Sequence, residues 1–280
     1  MKRWSKAAAL VGALVFLPGF GSIERFFAPN ADLWERWRAH DPASSQTIDH
    51  ASWDALLSRY VRPASGGVNL IDYRGFSLPD RASLAGYLDA LARLPISRFN
   101  RDEQLAYWIN LYNALTMQVV LDHFPVASIR DIGISPGLFR IGPWDKRLIA
   151  IEGQALTLND IEHRILRPIW RDPRIHYAVN CASVGCPDLR PSAYRGANIE
   201  RALNEAASDY INDPRGVSIS DGQVTVSKIY DWFIADFGGT EASVMRHLQG
   251  YAAPELRARL AAIGKLSGTR YDWSLNAAAE

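Results

Sequence analysis

The residues of this chain best suited to chemistry crowd into the segment from Arg174 to Pro187, which holds His176 and both cysteines, Cys181 and Cys186. A thiolate is the reactive form of cysteine, and a nearby base or positive charge produces it by lowering the thiol pKa. His176 and Arg174 are the nearest such groups in sequence, and His163, beside Glu162, is another candidate base. Cys181 is the expected nucleophile, because Pro187 stiffens the chain next to Cys186.

Two further readings of the same residues stay open. Two cysteines in an oxidising compartment can close a disulfide, although a loop this short removes little entropy from the unfolded chain. His163, His176, Cys181 and Cys186 are also zinc-ligand types, but the cysteine spacing is at the wide limit and no compact second pair accompanies it. Neither a metal nor a cofactor is expected, since a phosphate loop, a dinucleotide fingerprint and an HExxH helix are all missing from the sequence. Each histidine, taken singly, also fits a structural role. Trp108, Trp144, Trp170, Trp232 and Trp273 read as core and groove packing.

Several elements must position these groups. From Asp102 to His123 apolar residues recur at Leu105, Trp108, Ile109, Tyr112, Leu115 and Val119, which predicts a helix ending before Pro125. A second helix is expected over Thr157 to Leu166, with Thr157 as N-cap and Asp160 completing a capping box. On such a helix Glu162 and His163 project in different directions. Val68 to Tyr73, Arg147 to Ile151 and Ile175 to Val179 read as short strands. If Ile175 to Val179 is extended, His176 and Cys181 point to opposite faces unless the chain turns after Asn180. Asp221 and Gly222, between alternating apolar residues, predict a hairpin over Val217 to Val226. Further helices are expected over Ala197 to Ile211, Lys228 to Phe237, Glu241 to Leu248 and Pro254 to Ile263. The class is α+β, mostly helical, with a small central and largely antiparallel sheet.

The N-terminus reads as a secretory signal: Lys2, Arg3 and Lys6, an apolar stretch from Ala7 to Leu17, then Pro18, Gly19, Gly21 and Ser22. Cleavage is expected after Gly21, giving a periplasmic or secreted protein with no stable membrane insertion, because the apolar stretch is too short to span a bilayer. Loss of those three cations takes 31 basic residues to 28 against 30 acidic ones, a net charge of −2. Nothing in that balance attracts nucleic acid. The expected organisation is a signal peptide over 1–21, a Trp-rich lead-in over 22–46 carrying Trp34 and Trp37, and one compact domain over 47–280.

Five strings carry a resemblance: AYWINLYNALT (106–116), LTLNDIEHRILR (156–167), RIHYAVNCASVGCPDL (174–189), KIYDWFIADFG (228–238) and YDWSLN (271–276). They resemble successive blocks of the domain-of-unknown-function 547 family. The resemblance implies that Asn110, Asn113, Glu162, His163, His176, Cys181 and Cys186 occupy marked family positions; it supplies no reaction. The order of a long helix followed by a histidine is more loosely similar to papain-like and transglutaminase-like cysteine enzymes, which begin a strand with that histidine. Here Asn110 and Asn113 stand where such an enzyme carries its cysteine.

Three functions follow as alternatives. The first is a cysteine-dependent hydrolase or acyl transferase acting on an amide or thioester, with Cys181 as nucleophile, His176 or His163 as base, and Asn113 as orienter or oxyanion donor. The second is a thiol redox protein cycling Cys181 and Cys186, and the third is a non-catalytic binding domain with a structural disulfide. Each expects a small molecule or peptide as partner. An enzyme site requires Asn113, Glu162 or His163, His176 and one cysteine to meet in a common cleft, and a Cys–His dyad requires a sulfur within about 4 Å of a ring nitrogen.

Overall fold

The computed structural model describes residues 28–63, 67–137 and 141–279; the expected signal segment, 1–21, lies outside them. In chain order the described elements are α1 (Ala51–Tyr60), β1 (Val61–Arg62), β2 (Leu70–Ile71), α2 (Leu78–Ala92), α3 (Arg101–His123), β3 (Ile149–Ile151), β4 (Gln154–Leu156), α4 (Arg167–Trp170), α5 (Ile199–Asn212), β5 (Val217–Ser220), β6 (Gln223–Ser227), α6 (Ile229–Trp232), α7 (Glu241–Tyr251), α8 (Pro254–Ile263) and β7 (Gly268–Arg270). The α+β class holds, and the strands divide among three small sheets: β1 with β2, β3 with β4, and β5 with β6 and β7. All pairings are antiparallel except β6 with β7. The predicted hairpin forms, with Asp221 and Gly222 both at positive φ as a tight turn between right-twisted strands demands.

Helix α3 begins where the Asn100 side chain accepts from the Glu103 backbone N–H at 3.0 Å, an N-cap that satisfies one orphan donor of the first turn. The predicted stripe is buried, but so is nearly every residue from Glu103 to Leu121. A helix enclosed on all sides needs partners for its polar side chains as well as packing for its apolar ones. Asn110 meets that need by bracketing the Tyr194 peptide: its Nδ2 donates to Tyr194 O at 2.8 Å and its Oδ1 accepts from Tyr194 N at 3.0 Å. Asn113 grips the next chain crossing alike, donating to Ala178 O at 2.9 Å and accepting from Asn180 N at 2.8 Å.

Two apolar clusters flank the site. One gathers α1, α2, α3 and the Trp37 indole, which sits edge-on to Trp108 at 5.0 Å and so ties the lead-in to the main body. The other gathers Tyr177, α5, the three-stranded sheet, α7 and α8. Among the described residues no helix is long and apolar enough to cross a membrane.

Three local expectations change. The helix expected over Lys228 to Phe237 is regular only over α6. Ile175 to Val179 is not a strand; Pro173–Tyr177 forms a 3-10 turn. The Asp172 carboxylate accepts from the Arg174 N–H at 2.9 Å, and Pro173 presets the first helical φ, so the chain coils where its apolar content alone suggested extension. The helix that starts at the Thr157 and Asp160 capping box does form, and both side chains bond reciprocally with backbone N–H groups. It widens, however, into a π-helical stretch over Asp160–Leu166 before running into α4, with the Arg167 N–H reaching back to Glu162 O. Such widening is rare and tends to mark functional positions.

Candidate functional site

A cavity of about 560 Å³ lies between the two apolar clusters. Glu162, His163, His176, Cys181 and Cys186 all line it. The π turn explains how Glu162 and His163, neighbours in sequence, come to share one wall: a wider turn reduces the angle between consecutive side chains, which an ordinary helix would splay apart. Asn113 does not line the cavity. Its amide is committed to the backbone at Ala178 and Asn180, so it orients the chain that leads into Cys181 and presents no donor to a reacting oxygen.

The cysteines sit on a tightly fastened loop. Asn180 bridges it, accepting from Ala182 N at 2.9 Å and donating to Pro187 O at 2.7 Å. Its outer edge runs along the C-terminal segment, with Val184 N bonded to Ser274 O and Gly185 N to Asp272 O, each at 2.8 Å. A side chain at position 185 is impossible without moving that segment, because a Cβ there would lie 2.6 Å from Asp272 N. The Arg215 guanidinium and the Tyr210 hydroxyl hold the loop carbonyls from the other side.

The two thiols are free and their sulfurs are 3.1 Å apart, so they are in contact but not joined. Cys186 is buried, whereas Cys181 is partly exposed. Around Cys181 Sγ stand Ser183 Oγ at 3.3 Å and Tyr271 OH at 3.1 Å, themselves bonded at 3.0 Å. The hydrogen bond from the Cys186 thiol, with those from Ser183 and Tyr271, outweighs burial and holds the Cys181 thiol below its usual pKa. Burial pushes Cys186 well up, and the charge on Cys181 reinforces that direction. Their asymmetry makes Cys181 the more acidic thiol of the pair. Among the described residues no histidine nitrogen reaches hydrogen-bond distance of either sulfur; the partners are sulfur and hydroxyl. The Cys–His dyad is therefore replaced by a thiol–thiol pair with a phenol beside it.

The histidines belong to a second network. His176 Nε2 lies 2.7 Å from Asp236 Oδ2, and Arg167 clamps the same carboxylate through Nε at 2.6 Å and Nη2 at 3.2 Å. Burial alone would raise the Asp236 pKa, but hydrogen bonds from His176 and Arg167 hold it far below the usual carboxylate range. Arg167 Nη1 also donates to His163 Nδ1 at 2.9 Å. That bond leaves the ring proton on Nε2, which faces Glu162 at 3.9 Å, while His176 Nδ1 faces the other Glu162 oxygen, also at 3.9 Å. Burial, helped by Arg167, drives the His163 pKa down to about 4. Phe233 closes this floor: it stacks on His176 at 4.4 Å, and the Arg167 guanidinium lies 4.6 Å from its ring.

Among the described residues no group of three or more histidine, cysteine or carboxylate side chains could hold a metal ion. The hydrogen bonds give a reason: a guanidinium occupies His163 Nδ1 and leaves its Nε2 protonated, so that ring offers no lone pair toward Glu162.

Arg167, Asp236, Phe233, Ser183 and Tyr271 complete the site, and reasoning from residue types alone passed over them. Asp236 and Tyr271 stand in the fourth and fifth quoted strings, where an acid and a tyrosine within runs of aromatics carry no spacing signal of their own.

Comparison with curated proteins and with solved structures finds no match. Residues 96–211, which include the asparagines of α3, the Glu162–His163 wall, His176 and both cysteines but neither Asp236 nor Tyr271, match the family model described as "Protein of unknown function, DUF547", and this part of the chain is a member of that family.

Proposed function

We propose that the chain is a thiol redox protein in which Cys181 attacks and Cys186 resolves. The observation that carries the reading is the unbonded 3.1 Å contact between a cavity-facing Cys181 sulfur and a buried Cys186 sulfur. The Cys181 thiolate attacks one sulfur of a substrate disulfide; the S–S bond breaks and the outer sulfur leaves, taking a proton. Cys186 then gives up its proton and attacks Cys181 Sγ, expelling the second substrate thiol. The protein dithiol is oxidised to a disulfide and one substrate disulfide is reduced to two thiols. Run backwards, the same steps oxidise a dithiol, which suits the exported location proposed from the N-terminal segment.

A second reading, acyl transfer from an amide or thioester to Cys181, draws support from His176, an imidazole oriented by Asp236 on the same cavity. One experiment separates the two. Reduced protein is mixed with 2,2′-dithiodipyridine, an aromatic disulfide small enough for the cavity, and thiopyridone release is followed with mass analysis. The redox reading expects two thiopyridones per chain and an internal disulfide, a trapped mixed disulfide in Cys186→Ser, and reaction slowed by about tenfold or more in Cys181→Ser. Two independent adducts with no internal disulfide would sink it. In that event a burst of p-nitrophenol from p-nitrophenyl acetate, abolished in Cys181→Ser and His176→Ala, would establish acyl transfer in its place.

A further inference from the structure

Among the described residues no lysine or arginine pairs the Glu162 carboxylate on the cavity floor. Only 8% of the residue is exposed; the buried Tyr112 phenol donates to it, and among the described residues its nearest groups able to carry positive charge are two imidazoles, His163 Nε2 and His176 Nδ1, that stand off at 3.9 Å each. A neutral phenol does not balance the charge of a buried carboxylate, which stays costly until a cation pairs it. Asp236, by contrast, is paired with Arg167, whose guanidinium that pairing occupies. His176, whose Nε2 hydrogen goes to Asp236, turns its Nδ1 toward Glu162. The floor thus offers a buried carboxylate to which no lysine or arginine is paired among the described residues.

Above that floor the wall is aromatic. Trp232, Tyr271 and Trp273 pack at mutual ring distances of 4.7 to 5.6 Å, and Trp144 meets Trp273 edge-on at 6.0 Å. All four line the cavity. Ring faces attract cations and cover apolar groups, and a cavity of this volume suits a small ligand or the end of a peptide.

We propose that the cavity binds a molecule bearing a primary ammonium group, seated on Glu162, whose apolar or aromatic body lies against the tryptophan wall. A compact ammonium supplies both the charge and the N–H donors that a buried carboxylate takes, whereas a neutral donor leaves the charge unpaired and an anion is repelled by it. The inference rests on the thiol reading only for which of these molecules are turned over; binding itself needs neither sulfur.

The test is calorimetric titration of the full-length protein, and of its Cys181→Ser/Cys186→Ser variant, with 2-phenylethylamine, 2-phenylethanol and 3-phenylpropionate. A tripeptide with an N-terminal phenylalanine and its N-acetyl derivative form the second arm, which distinguishes a peptide terminus from a free amine. The amine, or the tripeptide with its free terminus, should bind about tenfold or more tightly than its uncharged counterpart. The preference should survive loss of both thiols and vanish in Glu162→Gln. Wild-type protein alone suffices if that variant does not fold, since the comparison among ligands needs no mutation. Equal affinity for amine and alcohol, tighter binding of the propionate, or no binding of either amine at millimolar concentration overturns the proposal. Failure of the dithiodipyridine experiment with the amine preference intact would refute the redox reading and leave the ammonium site standing.

Discussion

Removing the Asp236 carboxylate should be among the most damaging single changes in the molecule. Arg167 has a side chain only 4% exposed, and Asp236 is its sole anionic partner among the described residues. Asp236→Ala deletes two charge-assisted bonds to Arg167, at 2.6 and 3.2 Å, and one to His176 at 2.7 Å. The guanidinium would then keep only Pro29 O and His163 Nδ1, neither of which carries charge. Stranding a buried ion costs ~3–5 kcal/mol, because the desolvation remains after the attraction has gone. Asp236 itself is 21% exposed, so water can partly replace the carboxylate, and the loss should fall near the lower figure, about 3 kcal/mol. Asp236→Asn keeps one acceptor oxygen and should lose ~1.5–3 kcal/mol, the range for hydrogen bonds to charged groups. Urea unfolding followed by tryptophan fluorescence measures both, and Arg167→Met/Asp236→Ala tests the mechanism. With the cation gone as well, the double variant should be more stable than Asp236→Ala by at least about 1 kcal/mol. A loss below about 1 kcal/mol in Asp236→Ala, or a double variant less stable than the single one, would refute the claim that Arg167 is a buried ion dependent on this partner.

Tyr271→Phe removes a hydrogen bond that favours the Cys181 thiolate, so iodoacetamide alkylation of Cys181 at neutral pH should slow severalfold while Cys186 stays inert; unchanged kinetics would show that the phenol does not tune the thiol. Leu115→Ala, at a site 1% exposed inside the first cluster, should lose roughly 2–5 kcal/mol in chemical denaturation, and a loss under about 0.5 kcal/mol would contradict the packing of α3. Burial, aided by Arg195 for His50 and by Arg167 for His163, lowers both pKa values from 6.5 to about 4. A lowered histidine pKa means that the unfolded chain takes up protons first, so stability should fall as pH drops from 6.5 toward 4, by up to about 1.4 kcal/mol per pH unit for each ring. Urea midpoints at pH 7, 6 and 5 measure the slope, and a flat profile would show that the rings are not buried in the neutral form.

How much of this was legible beforehand depends on the range of the forces that decide each feature. The capping box at Thr157, the turn at Asp221 and Gly222 and the stop of α3 before Pro125 are set by contacts within a few residues, and each was readable from spacing. Ile175 to Val179 was misread because apolar content says only that a segment is buried; what coils it is the Asp172 cap and Pro173 ring just upstream. The gathering of Glu162, His163, His176 and both cysteines on one cavity was readable as an expectation, since polar residues dense in chemistry are costly to bury apart. Their partnerships were not. Whether His176 turns to Cys181 or to Asp236 depends on where α6 and the chain after it return, some 60 residues later, and no local pattern encodes that return. Asn113 shows the same limit from the opposite side. A polar residue on an enclosed helix looks catalytic in sequence, yet enclosure is what obliges it to find backbone partners, and the peptides it holds at Ala178 and Asn180 are those that aim Cys181. The same amide that fails as an oxyanion donor thus fixes the thiol pair, so the positional precision of Cys181 and Cys186 is a property of the α3 core rather than of the loop that carries them.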